Sequence, residues 1–210
     1  MNRKLNALTA VFCVCLIVSN LFEAKIFLLG PLTLTGGFLV FPIVYIVNDI
    51  LSEIYGFRET RRVVWLAFLL NLAFLGLVQL VRWLPAAPYC DAQPHFDYFF
   101  ATDLRMTVAS MAAFLLGSIL NAKVMSAMRA RQGDKGFGWR AVLSSLAGEA
   151  VDSAIFFPIA FYNVGWANML VMMLTQIVLK TGYEIIVLPL TWRVVRRLKK
   201  QQAAVSGQAD

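Results

Sequence analysis

Six stretches of about twenty mostly apolar residues divide this 210-residue chain, at 5–26, 35–55, 63–84, 105–128, 140–162 and 166–195. An α-helix needs about that many residues to cross a hydrocarbon core roughly 30 Å thick, and inside lipid it must satisfy its backbone hydrogen bonds internally. The chain is 60% hydrophobic and 15% charged, against roughly a quarter charged in an ordinary soluble domain. The expected fold is an all-α membrane protein: a six-helix transmembrane bundle forming a single domain over residues 1–200, with a polar, disordered cytoplasmic tail at 201–210. The first apolar run is longer than a signal-peptide core, and no small-x-small cleavage pattern follows it, so it is expected to stay as the first helix. The lipid bilayer is the first partner this composition demands.

A net charge of +7 would suit nucleic acid if the basic residues formed one patch, but they fall between the apolar runs. Arg3 and Lys4 precede the first run, and Arg58, Arg61 and Arg62 follow the second. Arg129, Arg131, Lys135 and Arg140 lie between the fourth and fifth, and Arg193, Arg196, Arg197, Lys199 and Lys200 follow the sixth. These are most of the 19 basic residues, all on one side of a six-span topology. Asp91, Asp97 and Asp103 lie on the other. The positive-inside rule then places both termini in the cytoplasm, and this distribution implies no nucleic-acid partner.

Ionisable residues within a span are costly, so they mark functional sites by default. The second run carries Asn48, Asp49 and Glu53, the fifth Glu149 and Asp152, and the sixth Gln176, Lys180 and Glu184. At 1.5 Å per residue, Asp49 and Lys180 lie about 21 Å from the outer face, and Glu149 and Asp152 about 14–18 Å from the inner face. They therefore converge between the midplane and the inner half. Spacings of three and four put each set on one helix face, with Tyr45 above Asp49 and Phe156 beyond Asp152. The carboxylates outnumber the lysine, which fits a polar or cationic solute or a proton better than a single structural ion pair. Tyr45 and Phe156 are packing residues or stack on a planar ligand. Pro42 and Pro158 are candidate breaks in their helices, as found at midplane binding sites. Asn20, Glu23 and Lys25 lie near the outer end of the first run, where the two charges can snorkel to the surface. Ala109, Ala113 and Gly117 form a small-residue stripe for close helix packing, within one chain or in a homodimer, and runs three and four read mainly as scaffold. Cys13 and Cys15 face different sides of a helix and Cys90 sits in a loop, so neither a disulfide nor a metal site is expected. The lone His95 reads as a solvated loop residue.

The runs SNLFEAKIF (19–27), FPIVYIVNDILSEIYG (41–56) and GEAVDSAIFFPIAF (148–161) resemble the vitamin uptake transporter family of bacterial inner-membrane proteins. The resemblance covers nearly the whole chain, about 5 to 197, and the second and third motifs are its specific part. It implies uptake of 7-cyano-7-deazaguanine and 7-aminomethyl-7-deazaguanine, deazapurine precursors of the queuosine base of tRNA, with the acidic motifs falling on Asp49 and Glu53 and on Glu149 and Asp152. A guanine-like edge presents adjacent N–H donors, which one carboxylate accepts in bidentate fashion. An aminomethyl cation suits a second carboxylate.

Two other classes are weighed against a secondary transporter. The substrate-binding subunit of an energy-coupling-factor transporter is also a six-helix protein of this size. Its docking helix carries small residues four apart, whereas Ala7 and Ala10 are three apart and Val11 occupies the next position. An intramembrane enzyme would need a motif such as H-E-x-x-H or G-x-S-x-G, and neither occurs. No Walker A sequence is present, so no ATP hydrolysis by the chain itself is expected, and no cofactor is implied. Coupling to protons through Glu149 or Glu184 and facilitated diffusion both remain open at this level.

Overall fold

Helix α1, Arg3–Phe22, opens the structure, a computed structural model that describes residues 3–22, 25–29, 32–100, 104–133, 136–163 and 165–206. It is followed by an antiparallel pair, β1 (Ile26–Leu29) and β2 (Leu32–Thr35), with Ile26 opposite Thr35 and Leu29 opposite Leu32. The hairpin departs from the all-α expectation and shortens the first helix by four residues. Its strands flank the Gly30–Pro31 pair, which cannot continue a helix. A single 3₁₀ turn, Gly36–Leu39, leads into α2, Phe41–Trp83. Pro42 lies in the first turn of α2, where its missing N–H costs nothing. It starts that helix rather than breaking it.

The remaining elements are the short α3 (Gln93–Phe100), then α4 (Leu104–Gln132), α5 (Phe137–Ala160) and α6 (Trp166–Ser206). The α3 helix lies in a segment expected to be a loop. His95 is exposed on it, while Arg82 of α2 meets Asp97 at 3.5 Å. Pro158 sits in the last turn of α5, so it shortens the helix rather than kinking its middle. α6 runs on to Ser206, past the expected boundary at residue 200; residues 207–210 lie outside the described residues, as does Glu23. Lys25 is exposed.

Five helices among the described residues are long and apolar enough to cross a membrane. The 43 residues of α2 would extend about 64 Å as a continuous helix, roughly twice one crossing. They do not form one straight rod, because Gly56 takes φ 80°, ψ 173°, a conformation that residues with a side chain almost never adopt. The break falls in the polar sequence between the second and third apolar runs and divides α2 into limbs 41–55 and 57–83.

The first limb is the axis of the bundle. Every residue from Val44 to Ile54 is buried, as expected for a helix enclosed on all sides. Val44, Val47 and Leu51 pack with Phe12 and Leu16 of α1, Val63, Val64 and Ala67 of the second limb, and Phe114 of α4. On another face, Ile46, Ile50 and Ile54 pack with Met125 of α4, Phe137 and Ala141 of α5 and Val195 of α6. The remaining positions carry the polar groups. Outward-facing leucines of the second limb (Leu66, Leu69, Leu70, Leu77, Leu80) and of α6 (Leu170, Leu174, Leu190) are exposed. An apolar belt of this extent belongs against lipid.

Helices α4 and α5 touch backbone to backbone. A Cβ on Gly117 would lie 2.8 Å from the Gly148 carbonyl oxygen and 3.1 Å from the Tyr45 hydroxyl; one on Gly148 would lie 2.9 Å from the Gly117 carbonyl oxygen. Ala109 and Ala113 continue the buried stripe, so its close packing is made within one chain. Gly148→Leu should therefore force α5 from α4 and give little folded protein, read as loss of the monodisperse peak in detergent. Gly56→Ala, which meets no atom within 4 Å, should cost only the conformational term of about 1–3 kcal/mol. Equal tolerance of both substitutions would contradict this packing.

Candidate functional site

Three helices supply the charges at the centre. The first limb of α2 presents Tyr45, Asn48 and Asp49, α5 presents Glu149 and Asp152, and α6 presents Lys180 and Glu184. All are buried, Asp49 and Glu149 to 1% exposure. The burial follows from the stripes: α5 places Ser144, Gly148 and Asp152 at four-residue steps and α6 places Gln176, Lys180 and Glu184 likewise, so each helix turns one polar face inward.

Serine hydroxyls of α5 bracket Asp49: Ser144 Oγ donates to Oδ1 at 3.3 Å and Ser145 Oγ to Oδ2 at 3.4 Å. Ser145 in turn accepts from Asn121 Nδ2 of α4 at 3.2 Å. Asn48 Nδ2 donates to the Ser118 carbonyl oxygen at 2.9 Å. Lys180 Nζ lies 3.5 Å from Asp152 Oδ2 and 4.4 Å from the centre of the Phe41 ring, an ion pair and a cation–π contact at once. Thr181 Oγ1 donates to Glu149 Oε2 at 3.5 Å. Several groups keep unused capacity: the Tyr45 hydroxyl, Asn48 Oδ1 and both oxygens of Glu184 meet no hydrogen-bond partner. Buried polar atoms left this way cost about 1–3 kcal/mol each, so the cluster favours a guest or a proton that completes them.

Glu53, one turn below Asp49, is held in a separate node. A single Arg140 nitrogen, Nη2, donates to both of its carboxylate oxygens, at 2.8 and 2.9 Å, and Lys199 Nζ donates at 2.6 Å, with Arg129 Nε at 3.9 Å. Arg140 and Glu53 are both 0% exposed. The node joins α2, α4, α5 and α6 at the end where the basic residues gather, beside a cavity of about 410 Å³ lined by Ser52, Gly56, Ser126, Arg129, Ala130 and Gly133. Lys4 donates to Gln201 at the same end.

Of the other expected site residues, Gln176 is half-buried on the inner stripe of α6. Phe156, also half-buried, stands edge-on to Phe157 and Phe161. Asn20 is drawn away, donating to Asn71 of the second α2 limb at 3.2 Å. Sequence reasoning passed over Arg140, Ser144, Asn121 and Phe41. Arg140 reads as an orientation charge, yet it stands three four-residue steps before Asp152 on the same face of α5. That spacing was the signal. Lys199 continues the buried line of Thr191 and Val195 on α6. Phe41 left no comparable mark, because its contact depends on how α2 and α6 cross.

A bundle of membrane-crossing length with charges enclosed between three helices defines a polytopic membrane protein with an internal polar site. Residues 35–194 match the family described as "Putative vitamin uptake transporter", and the chain belongs to that family. It is 26% identical over 188 residues to a "Probable queuosine precursor transporter" of Bacillus subtilis, covering 89% of this chain and 82% of that one. It is 27% identical over 130 residues to a protein of the same name from Haemophilus influenzae, covering 61% of this chain and 52% of that one. It is 29% identical over 144 residues to the "Queuosine precursor transporter" of Escherichia coli, covering 68% of this chain and 62% of that one. The match thus spans about half to two thirds of the Haemophilus and Escherichia relatives. No solved structure matches.

Removing one partner of a buried ion pair leaves a charge stranded and costs about 3–5 kcal/mol. Arg140→Met should therefore lower stability in detergent strongly, and Glu53→Gln combined with Arg140→Met should cost much less than the two single changes summed. A thermal-unfolding cycle with additive losses would mean that the pair carries no coupling.

Proposed function

We propose that this protein is a transporter that carries the queuosine precursors 7-cyano-7-deazaguanine and 7-aminomethyl-7-deazaguanine into the bacterial cytoplasm, binding them at the acidic cluster between α2, α5 and α6. The observation that carries the proposal is the enclosure of Glu149, Asp152 and Lys180, at 1%, 7% and 8% exposure, in a member of a transporter family. The relatives' names supply the solute class. The two limbs of α2 count as separate spans, so the chain crosses the inner membrane six times. The basic end, with both termini, faces the cytoplasm. The protein moves the solute and does no chemistry on it.

In this reading Glu149, which accepts one long hydrogen bond at a single oxygen, takes the paired N–H donors of the guanine-like edge. Asp152 receives the aminomethyl cation, for which Lys180 stands in while the site is empty of solute. Tyr45 and Asn48 offer the polar atoms left without partners, and Phe41, Phe156 and Gln176 close the sides. Asp49 and Glu184 lie beneath, toward the Glu53 node. The energy-coupling-factor alternative is not favoured, since the relatives are named as transporters in their own right.

Calorimetry with purified protein tests the assignment. Glu149→Gln should weaken 7-aminomethyl-7-deazaguanine by about 1.5–3 kcal/mol, roughly 10- to 150-fold in Kd. The neutral cyano compound should lose its preference for the unmodified site less on Asp152→Asn than the aminomethyl compound does. Undiminished binding to Glu149→Gln would remove the edge contact from the proposal.

A further inference from the structure

Lys180 is held loosely for a buried charge. Its Nζ reaches Asp152 Oδ2 at 3.5 Å, well beyond the roughly 2.7–2.9 Å of an ammonium bound to a carboxylate. Lys199 on the same helix shows the contrast, meeting Glu53 at 2.6 Å. An ammonium has three donors, and among the described residues this one makes a single long hydrogen bond. Its other neighbour is the Phe41 ring, whose centre lies 4.4 Å from Nζ, inside the roughly 6 Å over which an aromatic face attracts a cation. Phe41 in turn leans on Tyr45, with ring centres 5.6 Å apart. A carboxylate on one side and a ring face on the other recognise the end of the lysine side chain, a –CH2–NH3+ group, and an aminomethyl substituent on a solute is the same group.

A solute ammonium can take Asp152 only if Lys180 gives it up, and a lysine left in the interior without a counter-charge is strongly destabilising. One acid is placed to receive it. Glu184 stands four residues further along α6, the spacing that makes two side chains neighbours on one helix face. Long helical side chains lean toward the preceding turn, which for Glu184 is the turn of Lys180. Glu184 is 3% exposed, and among the described residues neither of its carboxylate oxygens has a hydrogen-bond partner. The other acids of the interior are already engaged: Glu149 by Thr181, Asp49 by Ser144 and Ser145, and Glu53 by Arg140 and Lys199.

We propose that Asp152 and Phe41 form a subsite for a primary ammonium, filled in the solute-free protein by Lys180 as a tethered competitor, and that a cationic solute takes this subsite by sending Lys180 to Glu184. Placing the aminomethyl compound there rests on the transport reading above; the ammonium subsite does not. The exchange strands no charge: the solute cation meets Asp152, and the lysine meets the carboxylate that had no partner. A neutral solute gives Lys180 no reason to move, so the cyano and aminomethyl compounds are bound in two different lysine states. The exchange also replaces a tie between α5 and α6 with a pair made within α6, which frees the two helices from each other at that level when a cation is loaded.

Two measurements test this. The first uses methylammonium on purified protein carrying Lys180→Met or the milder Lys180→Gln, which clear the subsite. Methylammonium chloride should raise the unfolding temperature of these variants above that in equal sodium chloride, and adding Phe41→Leu or Asp152→Asn should abolish the difference. Equal temperatures in the two salts overturn the subsite. The second is calorimetry with both deazapurines, read as the ratio of aminomethyl to cyano affinity. Lys180→Met should raise that ratio about tenfold, because the competitor is gone. Glu184→Gln should lower it, because the displaced lysine then has no counter-charge, and Phe41→Leu should lower it roughly five- to thirtyfold. The last two variants keep the Lys180–Asp152 pair, so their ratios decide the matter whether or not Lys180→Met folds. A ratio that Glu184→Gln leaves unchanged overturns the exchange, and one that Phe41→Leu leaves unchanged overturns the part given to the ring. Failure of both deazapurines to bind the unmodified protein, with methylammonium still stabilising the Lys180 variants, would instead remove the transport reading and leave the ammonium subsite standing.

Discussion

A charge buried in a bilayer must be met by a counter-charge, a dipole or a proton, and most of this structure follows from meeting that requirement for α2. Its first limb carries Asn48, Asp49, Ser52 and Glu53 through the centre of the bundle. Among the described residues no other helix segment is enclosed on every side, and the other helices bring polar groups to it: α5 Ser144, Ser145 and Arg140, α4 the Ser118 carbonyl and Arg129, and α6 Lys199. The apolar clusters on the other faces of the limb fix its rotation, so that Asp49 and Glu53 cannot turn toward lipid without burying isoleucines and valines less well.

The two acids of α2 end in different electrostatic states. Glu53 is over-matched by Arg140, Lys199 and Arg129 and ties four helices together at the basic end. Asp49 is under-matched, with two serine hydroxyls at 3.3 and 3.4 Å as its partners. Fully satisfied groups rigidify, whereas incompletely satisfied ones leave room for a guest or a proton.

Much of this was legible in the sequence. Charges at three- and four-residue steps inside apolar runs announced which faces point inward, and the placing of arginines and lysines between runs foretold that they gather at one end. The small-residue stripe of α4 announced a close helix contact without its partner, which the structure gives as α5. The hairpin after α1 was less visible, because the short segment between the first two apolar runs, with Gly30 and Pro31 at its middle, reads as a connecting loop. The division of the acids was hidden for a different reason. Spacing gives the face of a helix but not the partner across it, and Glu53 and Asp49 share a face while one meets Arg140 and Lys199 and the other only the Ser144 and Ser145 hydroxyls. Only helix crossing geometry decides that.

The central claim is that the solute sits among α2, α5 and α6 at the acidic cluster. Electron cryo-microscopy of the protein with 7-aminomethyl-7-deazaguanine, held by a bound antibody fragment, addresses it most directly. The account predicts density for the ring beside Tyr45 with its donor edge on Glu149 and its amine near Asp152, and Lys180 displaced from that carboxylate. Density in the cavity beside Arg129 and Gly56, with the acidic cluster unchanged, would contradict it.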